Sequence, residues 1–594
     1  MILDDLNAFY EMKAGDPQGN FPQRGWSVAR VGWELHLDEA GGVVGLVPLA
    51  DDTKMKVPEQ ETRTSGIKPF FLCDKAAYFF GLDEKRGVKM RDESAQLHRR
   101  ILEGVDDDAA RAVLLFFERE DTLSGVASEY ADELRKGRLI VFFYEPDGRY
   151  VHEGQAVAAA WNRSLADDEP VEEIQCAVTG EKRAPAKLFP QTRGIPGAQS
   201  SGAGLVGFNQ ESFCSYGKTQ SDQALNAWVS QEAASNIGRA LDYLADRNNG
   251  HCVDIGDSRI LFWTESESKE SLDAISLMFD SDALTNRAKE DAKALALVRR
   301  RLEDIRRGRG IVSDEADTKF FILGLAPNMS RLSVRFFEVG TLGALGRRFA
   351  RYLDDISMTD GNGAILAPRS IGSYVYQTAA FGKRENVPET LLCSTIRAMI
   401  RGTAFPPALF EQLIMRTRID KGCSGSGERK YDAMLLRAPM LKACLMRKAR
   451  QRNDQSTERG LTMSLNEENE NIGYLLGRLF AVLEKAQFDA IPGINATIRD
   501  RYIGSASATP ARVFPQLMKN AQFHISKAEY GNVSDRRIQD IVARIESVNG
   551  FPPTLSYDDQ GHFFIGYYQQ KAALYAGKGA ETSTDQESMA QEQE

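Results

Sequence analysis

KFFILGLAPNMSRLSVRFFEVGT, residues 319–341, decides the fold class. Lys319 to Leu325 is an aromatic and aliphatic run of strand length, and Arg331 to Val339 is a second. Pro327-Asn328-Met329-Ser330 between them reads as a hairpin connection. The second strand alternates, so Leu332, Val334 and Phe336 are expected on one face and Arg331, Ser333 and Arg335 on the other. Upstream, Leu139-Ile140-Val141-Phe142-Phe143 suits a buried strand closed by Pro146-Asp147-Gly148. A helix follows Ser230, with Ala233, Ile237, Ala240, Leu241 and Leu244 on one stripe. From about residue 385 the period becomes helical. Ile472, Leu475, Leu476, Leu479, Val482 and Leu483 form one stripe; Ile538, Ile541, Val542 and Ile545, after an expected cap at Ser534, form another. Ser556 with Asp559 resembles a capping box for a last helix carrying Phe563, Phe564 and Tyr567. The expected fold is therefore α+β: a mixed N-terminal α/β body with antiparallel strands, followed by a C-terminal helical bundle.

Composition sets the organisation. A chain of 594 residues has room for about three to five domains. The expected regions are 1–150 (α/β), 151–384 (α/β with long polar loops, especially 180–222), 385–460 (helical and basic, ending in a polar linker from Gln451 to Gly460), 461–580 (small helical bundle) and 581–594 (acidic disordered tail). No apolar run approaches the roughly 18 residues of a membrane span, and Met1-Ile2-Leu3-Asp4-Asp5 has no secretory pattern, so the expected location is cytoplasmic with no membrane partner. Seven cysteines without any C-x-x-C pair argue against zinc ribbons, iron–sulfur clusters and a disulfide framework. The net charge of −10, taken alone, speaks against a nucleic-acid partner. Counting by region weakens that: residues 331–460 hold 22 Lys+Arg against 12 Asp+Glu, a net of +10, so the rest carries −20. Local clustering, not the total, sets attraction to phosphate.

Motifs for catalysis are missing. The six histidines form no His-Asp dyad or H-E-x-x-H, no G-x-x-x-x-G-K-[ST] occurs, and Gly202-Ala203-Gly204 lacks the rest of a dinucleotide fingerprint. No catalytic residue, metal or cofactor is assigned. A metal-dependent nuclease with dispersed carboxylate ligands remains the alternative. What stands out instead is three polar loops: Thr62-Arg63-Thr64-Ser65-Gly66-Ile67-Lys68-Pro69, Gly197-Ala198-Gln199-Ser200-Ser201-Gly202, and Phe213-Cys214-Ser215-Tyr216-Gly217-Lys218. Glycine-flanked amides, hydroxyls and cations are the groups that cradle phosphates and base edges.

Six blocks carry a resemblance: MILDDLNAFYE at the start, RTSGIKPFFLCDKAAYFFG (63–81), CAVTGE (176–181), GAQSSGAGLVGFNQESFCSYGK (197–218), ILGLAPNMSRLSVRFFE (322–338) and FPPTLSYDDQGHFFIGYYQQK (551–571). In this order they resemble the large subunit of the type I-C CRISPR surveillance complex, Cascade. The resemblance implies a non-enzymatic subunit of a crRNA-guided complex, beside the repeat-handle-binding subunit and the backbone filament. It further implies recognition of the protospacer-adjacent motif (PAM) in double-stranded DNA, help in opening the duplex, guidance of the displaced strand and recruitment of a helicase–nuclease. On this basis Arg63, Thr64, Ser65, Lys68, Gln199, Ser200 and Ser201, then Tyr216 and Lys218, are the expected PAM-duplex residues. Arg331, Arg335, Arg447, Lys448, Arg450 and Arg452 are expected against the non-target strand or RNA. The family also implies a small subunit made by internal translation of the 3′ part of the gene. Met463 is the expected start, with Met440 and Met446 as alternatives.

Overall fold

The computed structural model describes residues 1–576 except 16–20, 22–24, 51–52, 61–62, 64–65, 124–125, 127–129, 166–172, 220–222, 267, 280–299, 301–303, 305–315, 421–422, 425–430, 495 and 549. The expected acidic tail and most of the glycine-rich 422–427 segment lie outside these residues, as do Thr64 and Ser65. The chain divides into two compact units, one of residues 1–192 with 204–242 and one of residues 193–203 with everything from 243 onward. These boundaries differ from those expected at 150, 384 and 460.

The first unit opens with helix α1 (Ile2–Ala14) and is built on a sheet of strands β1 (Trp26–Leu37), β2 (Val43–Pro48), β3 (Lys54–Pro58), β4 (Cys73–Lys75) and β5 (Leu139–Tyr144). β1 is long enough for two partners on one edge: Trp26–Arg30 pairs with β3 and Trp33–Leu37 with β2, both antiparallel. On its other edge β1 runs parallel to β5, and a parallel pair needs a crossover. Helices α2 (Gly87–Leu102) and α3 (Asp108–Glu118) lie on that connection. Their apolar faces join Leu35, Ile140 and Phe142 in one core. The strand expected at Leu139–Phe143 is thus present and buried.

The second unit holds the antiparallel meander β6 (Cys252–Ile255), β7 (Ser258–Thr264), β8 (Lys319–Asn328) and β9 (Arg331–Thr341). The hairpin is tighter than expected, because Pro327 and Asn328 pair within the ladder and leave Met329-Ser330 as the turn. Its alternation also breaks. Phe336 stands opposite Gly324 and Val334 opposite Leu325, so a bulge at Arg335 puts Val334 on the face away from Phe336, and Val334 is exposed. The sheet packs on helices α4 (Lys269–Phe279), α5 (Leu342–Ile356) and α6 (Glu389–Arg401), and α7 (Pro407–Ile419) and α8 (Met434–Arg452) continue the same core.

After α8 the expected linker is instead helix α9 (Gln455–Gly460), capped by Asp454 on the Thr457 N–H at 3.1 Å and tied back by Arg450 to Glu458 at 2.8 Å. Helices α10 (Ile472–Ala490), α11 (Ile498–Ala506), α12 (Pro510–Lys527), α13 (Gly531–Ser547) and α14 (Tyr557–Tyr575) complete the unit. The expected cap at Ser534 is corrected: Ser534 is buried inside α13, which begins at Gly531, where a Cβ would sit 1.9 Å from the Ile525 carbonyl oxygen. Ser556 does cap α14, accepting from the Asp559 N–H at 3.1 Å. α10 is buried almost all round, the mark of a central helix. One apolar core runs from Val253 through the meander and α5–α8 into this bundle, ending at Tyr568. The chain is α+β, as expected.

Candidate nucleic-acid interface

The three loops are divided between the two units. Arg63, Lys68, Tyr216 and Lys218 belong to the first; Gln199, Ser200, Ser201, Arg331, Arg335 and the 447–452 run belong to the second.

Arg63 is held from every side. Its guanidinium lies between the rings of Phe70 and Tyr78, 3.7 and 3.9 Å from their centroids. It donates to the Lys68 carbonyl at 2.6 Å and to Asp74 Oδ2 at 2.5 Å. Asp74 is buried and also accepts from the Phe70 and Lys75 N–H groups at 2.8 and 2.7 Å. Burial pushes its carboxyl above the usual range, and Arg63 pulls against that shift. Leu72 follows in a left-handed conformation, φ 53°, with its N–H bonded to His98 Nε2 at 3.0 Å. His98 Nδ1 faces the Ser94 carbonyl at 2.7 Å and therefore donates, which leaves Nε2 as acceptor. Burial lowers its pKa to about 4, so it stays neutral. Arg63 thus shapes the loop, and Lys68, which is exposed, is the cation it presents.

In the second unit the Gln199–Ser201 turn has a rigid seat. Buried Arg259 donates to the carbonyls of Gly194 and Ala245 at 2.5 and 2.6 Å while its other edge engages Asp254 at 2.6 and 2.8 Å. Gly197 (φ 76°) comes so near the hairpin that a Cβ would lie 3.3 Å from Pro327 Cγ. The turn closes from the Gly202 N–H to the Gln199 carbonyl at 2.9 Å and leaves all three polar side chains exposed. Beside it is the hairpin tip, where Met329 has φ 56° and is 84% exposed. Sequence reading missed both Met329 and Arg259. The only signal for the first is an apolar residue at a two-residue turn.

Tyr216 is fully exposed at φ 55°, in a loop tied by Asn226 Oδ1 to the Ser215 N–H at 3.2 Å. Arg331 opens β9 and is half-buried; Arg335, at the bulge, pairs with Asp257 at 2.9 Å. There Glu389 is pushed up to about 7 by burial and by Asp257 beside it.

The 447–452 run is not a free basic stripe. Arg447 is a core residue, 3% exposed, that donates to the Ala398 and Thr403 carbonyls at 2.8 and 2.9 Å and to Asp355 at 3.3 Å. Arg450 also clamps Asp355, and Lys448 and Arg452 pair with Asp558 at 2.5 and 3.5 Å. The expectation of a polyanion contact at Arg447 is thereby corrected: the side chain is desolvated inside the protein. Elsewhere in the basic region Glu338 holds Arg397 and Arg401, and Asp420 holds Arg416 and Arg437.

The remaining signature blocks are structural in placement. CAVTGE is a turn closed from the Gly180 N–H to the Cys176 carbonyl at 2.8 Å, with Cys176 in a small core. FPPTLSYDDQGHFFIGYYQQK is α14 and its approach, buried from Gln560 to Gln570. Among the described residues no group of three or more His, Cys, Asp and Glu side chains converges to hold a metal, and no helix is long and apolar enough to cross a membrane. No curated protein matches the chain. The sequence model of the CRISPR-associated protein (Cas_Csd1) family matches residues 6–575, nearly its whole length, and the chain therefore belongs to that family of Cascade-type subunits, consistent with a large subunit of type I-C.

Proposed function

We propose that this chain is the non-enzymatic large subunit of a type I-C, crRNA-guided Cascade complex, working in the cytoplasm beside the backbone filament and the repeat-handle-binding subunit. In this reading it recognises the PAM in double-stranded DNA, aids duplex opening and R-loop formation, guides the non-target strand and helps recruit the helicase–nuclease. One observation carries it: the exposed Gln199-Ser200-Ser201 turn stands on a braced seat next to the exposed hairpin tip at Met329. Short amide and hydroxyl side chains on a rigid base suit direct readout of base edges, and an apolar tip beside them suits a wedge between base pairs. Lys68, Arg331 and Lys218 supply phosphate contacts and Tyr216 a stacking ring in the same reading.

Replacing Gln199, Ser200 and Ser201 together by alanine is expected to weaken binding of PAM-containing duplex at least tenfold, the scale of one lost base contact. Binding of duplex without a PAM should not change. Equal affinities of variant and wild-type complexes for the PAM duplex would remove the assignment. Lys68→Ala is expected to reduce the salt slope of binding by about one unit. Cleavage of DNA by the purified chain with Mg²⁺ or Mn²⁺ would favour the nuclease alternative instead.

The small subunit is proposed to start at Met463. The central helix α10 packs on α11, α12, α13 and α14, all of which lie after that methionine, so the shorter product keeps the core of the bundle. Changing the Met463 codon should abolish a short product of about 130 residues on an immunoblot against the C-terminal region. Persistence of that band would move the start to Met440 or Met446.

A further inference from the structure

Two loops, one in each unit, repeat the same uncommon geometry. Ser215-Tyr216-Gly217-Lys218 and Ala380-Phe381-Gly382-Lys383 are both turns closed from the last N–H to the first carbonyl, at 3.1 and 3.2 Å. Both central residues are left-handed in each, with φ 55° and 70° in the first and 58° and 68° in the second. This is the type I′ signature, whose first central position favours Asn, Asp or Gly because a side chain there crowds the backbone. Here that position carries an aromatic ring that the fold does not bury: Phe381 is 91% exposed. A large apolar side chain held in water on strained backbone points to something that binds it.

The Phe381 turn is rigid at its base. Thr378, Ala379 and Val387 are buried, Asn386 Nδ2 donates to the Ala380 carbonyl at 2.9 Å, and the Asn386 and Val387 N–H groups close further turns onto Lys383 and Arg384 at 3.0 and 3.1 Å. The Arg384 guanidinium lies 4.8 Å from the centroid of the Tyr376 ring, which steadies it beside the turn. Lys383 and Arg384 are both exposed. A single ring is far too small for a protein interface, which needs roughly 800 Å² per partner. It matches one nucleobase, and two adjacent cations match the flanking phosphates.

We propose that the Phe381–Arg384 turn is a single-stranded nucleic-acid contact, in which an unpaired base stacks on Phe381 while Lys383 and Arg384 engage the adjacent backbone. The inference rests on the reading of the chain as a DNA-handling Cascade subunit and adds a site to it.

Phe381→Asn provides a clean test, because Asn-Gly is the preferred type I′ pair: the substitution keeps the turn and removes the ring. The full chain is titrated against fluorescein-labelled (dT)20 by anisotropy, and against PAM-containing duplex in parallel. The expected result is (dT)20 affinity about tenfold lower for Phe381→Asn, near wild type for Phe381→Trp, with an unchanged or higher melting temperature for Phe381→Asn. Unchanged (dT)20 affinity in Phe381→Asn overturns the site. So does a wild-type chain that binds the duplex but not (dT)20; in both cases the reading of the chain as a PAM-binding Cascade subunit stands. A wild-type chain that binds neither probe removes both. Loss of a filament subunit from the purified complex, with (dT)20 affinity intact, would identify the turn as a protein contact and overturn the proposal.

Discussion

Replacing Gly477 by valine is expected to destabilise the C-terminal helices by at least about 3 kcal/mol, the upper end of ordinary overpacking costs. A Cβ at 477 would sit 2.0 Å from the Phe563 carbonyl oxygen and 2.8 Å from the Tyr567 nitrogen. At Gly473 it would sit 2.0 Å from the Asp559 oxygen, and at Gly566 2.3 Å from the Tyr474 oxygen. All of these are backbone atoms, so no rotamer change relieves the clash. The three glycines let α10 and α14 cross with their backbones in contact. That approach also sets a buried polar seam: Tyr474 to Gln569 at 2.6 Å, Tyr567 to Glu484 at 2.7 Å and Arg478 to Gln570 at 3.0 Å. Forcing the helices apart breaks these hydrogen bonds as well, and a buried donor or acceptor left unpaired costs about 1–3 kcal/mol. Gly45→Ala is the control, since a Cβ there meets nothing within 4 Å; it should stay within about 0.5 kcal/mol of wild type. Urea unfolding followed by far-ultraviolet circular dichroism reads both. A Gly477→Val midpoint equal to that of Gly45→Ala would show that the crossing tolerates separation.

The same seam marks where sequence reading stops. The leucine stripe from Ile472 to Leu483 was legible because helical periodicity is local, and so was the hairpin around Met329. The function of Gly473 and Gly477 was not, although their spacing of four residues placed them on one helical face. Glycine within a helix reads as a weak position until a partner backbone is known to lie against it. Val334 was misplaced for a related reason: a bulge is a property of two strands, and alternation is read from one. The stretch Gln451–Gly460 looked like a linker because it is polar, yet its polar groups are the cap and the ion pair that make α9 a helix. For the candidate interface, the sequence located the loops but not the roles within them. Arg63 reads as a phosphate cation, and only the placement of Phe70, Tyr78 and Asp74 around it turns it into the brace of its own loop. Leu72, in left-handed backbone, carries no sequence mark at all, and Met329 only that of an apolar residue in a turn.

Asp355→Ala is expected to cost about 3–5 kcal/mol, because it strands a buried cation. Asp355 is fully buried between Arg447 and Arg450. Arg447 keeps its two carbonyl partners and lies 4.2 Å from the Phe405 ring centroid, but neither carbonyls nor rings neutralise a charge that is 3% exposed. Burial already works against its charged form, and Asp355 is the main opposing influence. Arg447→Met in the Asp355→Ala background should therefore recover a large part of the loss, since an apolar replacement of a buried pair is often close to neutral. Arg452→Ala, at a side chain 64% exposed and 3.5 Å from Asp558, should change stability by less than about 1 kcal/mol. Melting temperatures of the three variants decide the matter: similar losses for Asp355→Ala and Arg452→Ala would mean that the buried clamp has no special weight. The consequence reaches beyond stability. The net +10 of residues 331–460 invites a nucleic-acid patch, but the structure assigns Arg447 and Arg450 to Asp355, and Arg397 and Arg401 to Glu338. Charge of this kind joins elements far apart in sequence instead of lining a surface for phosphate.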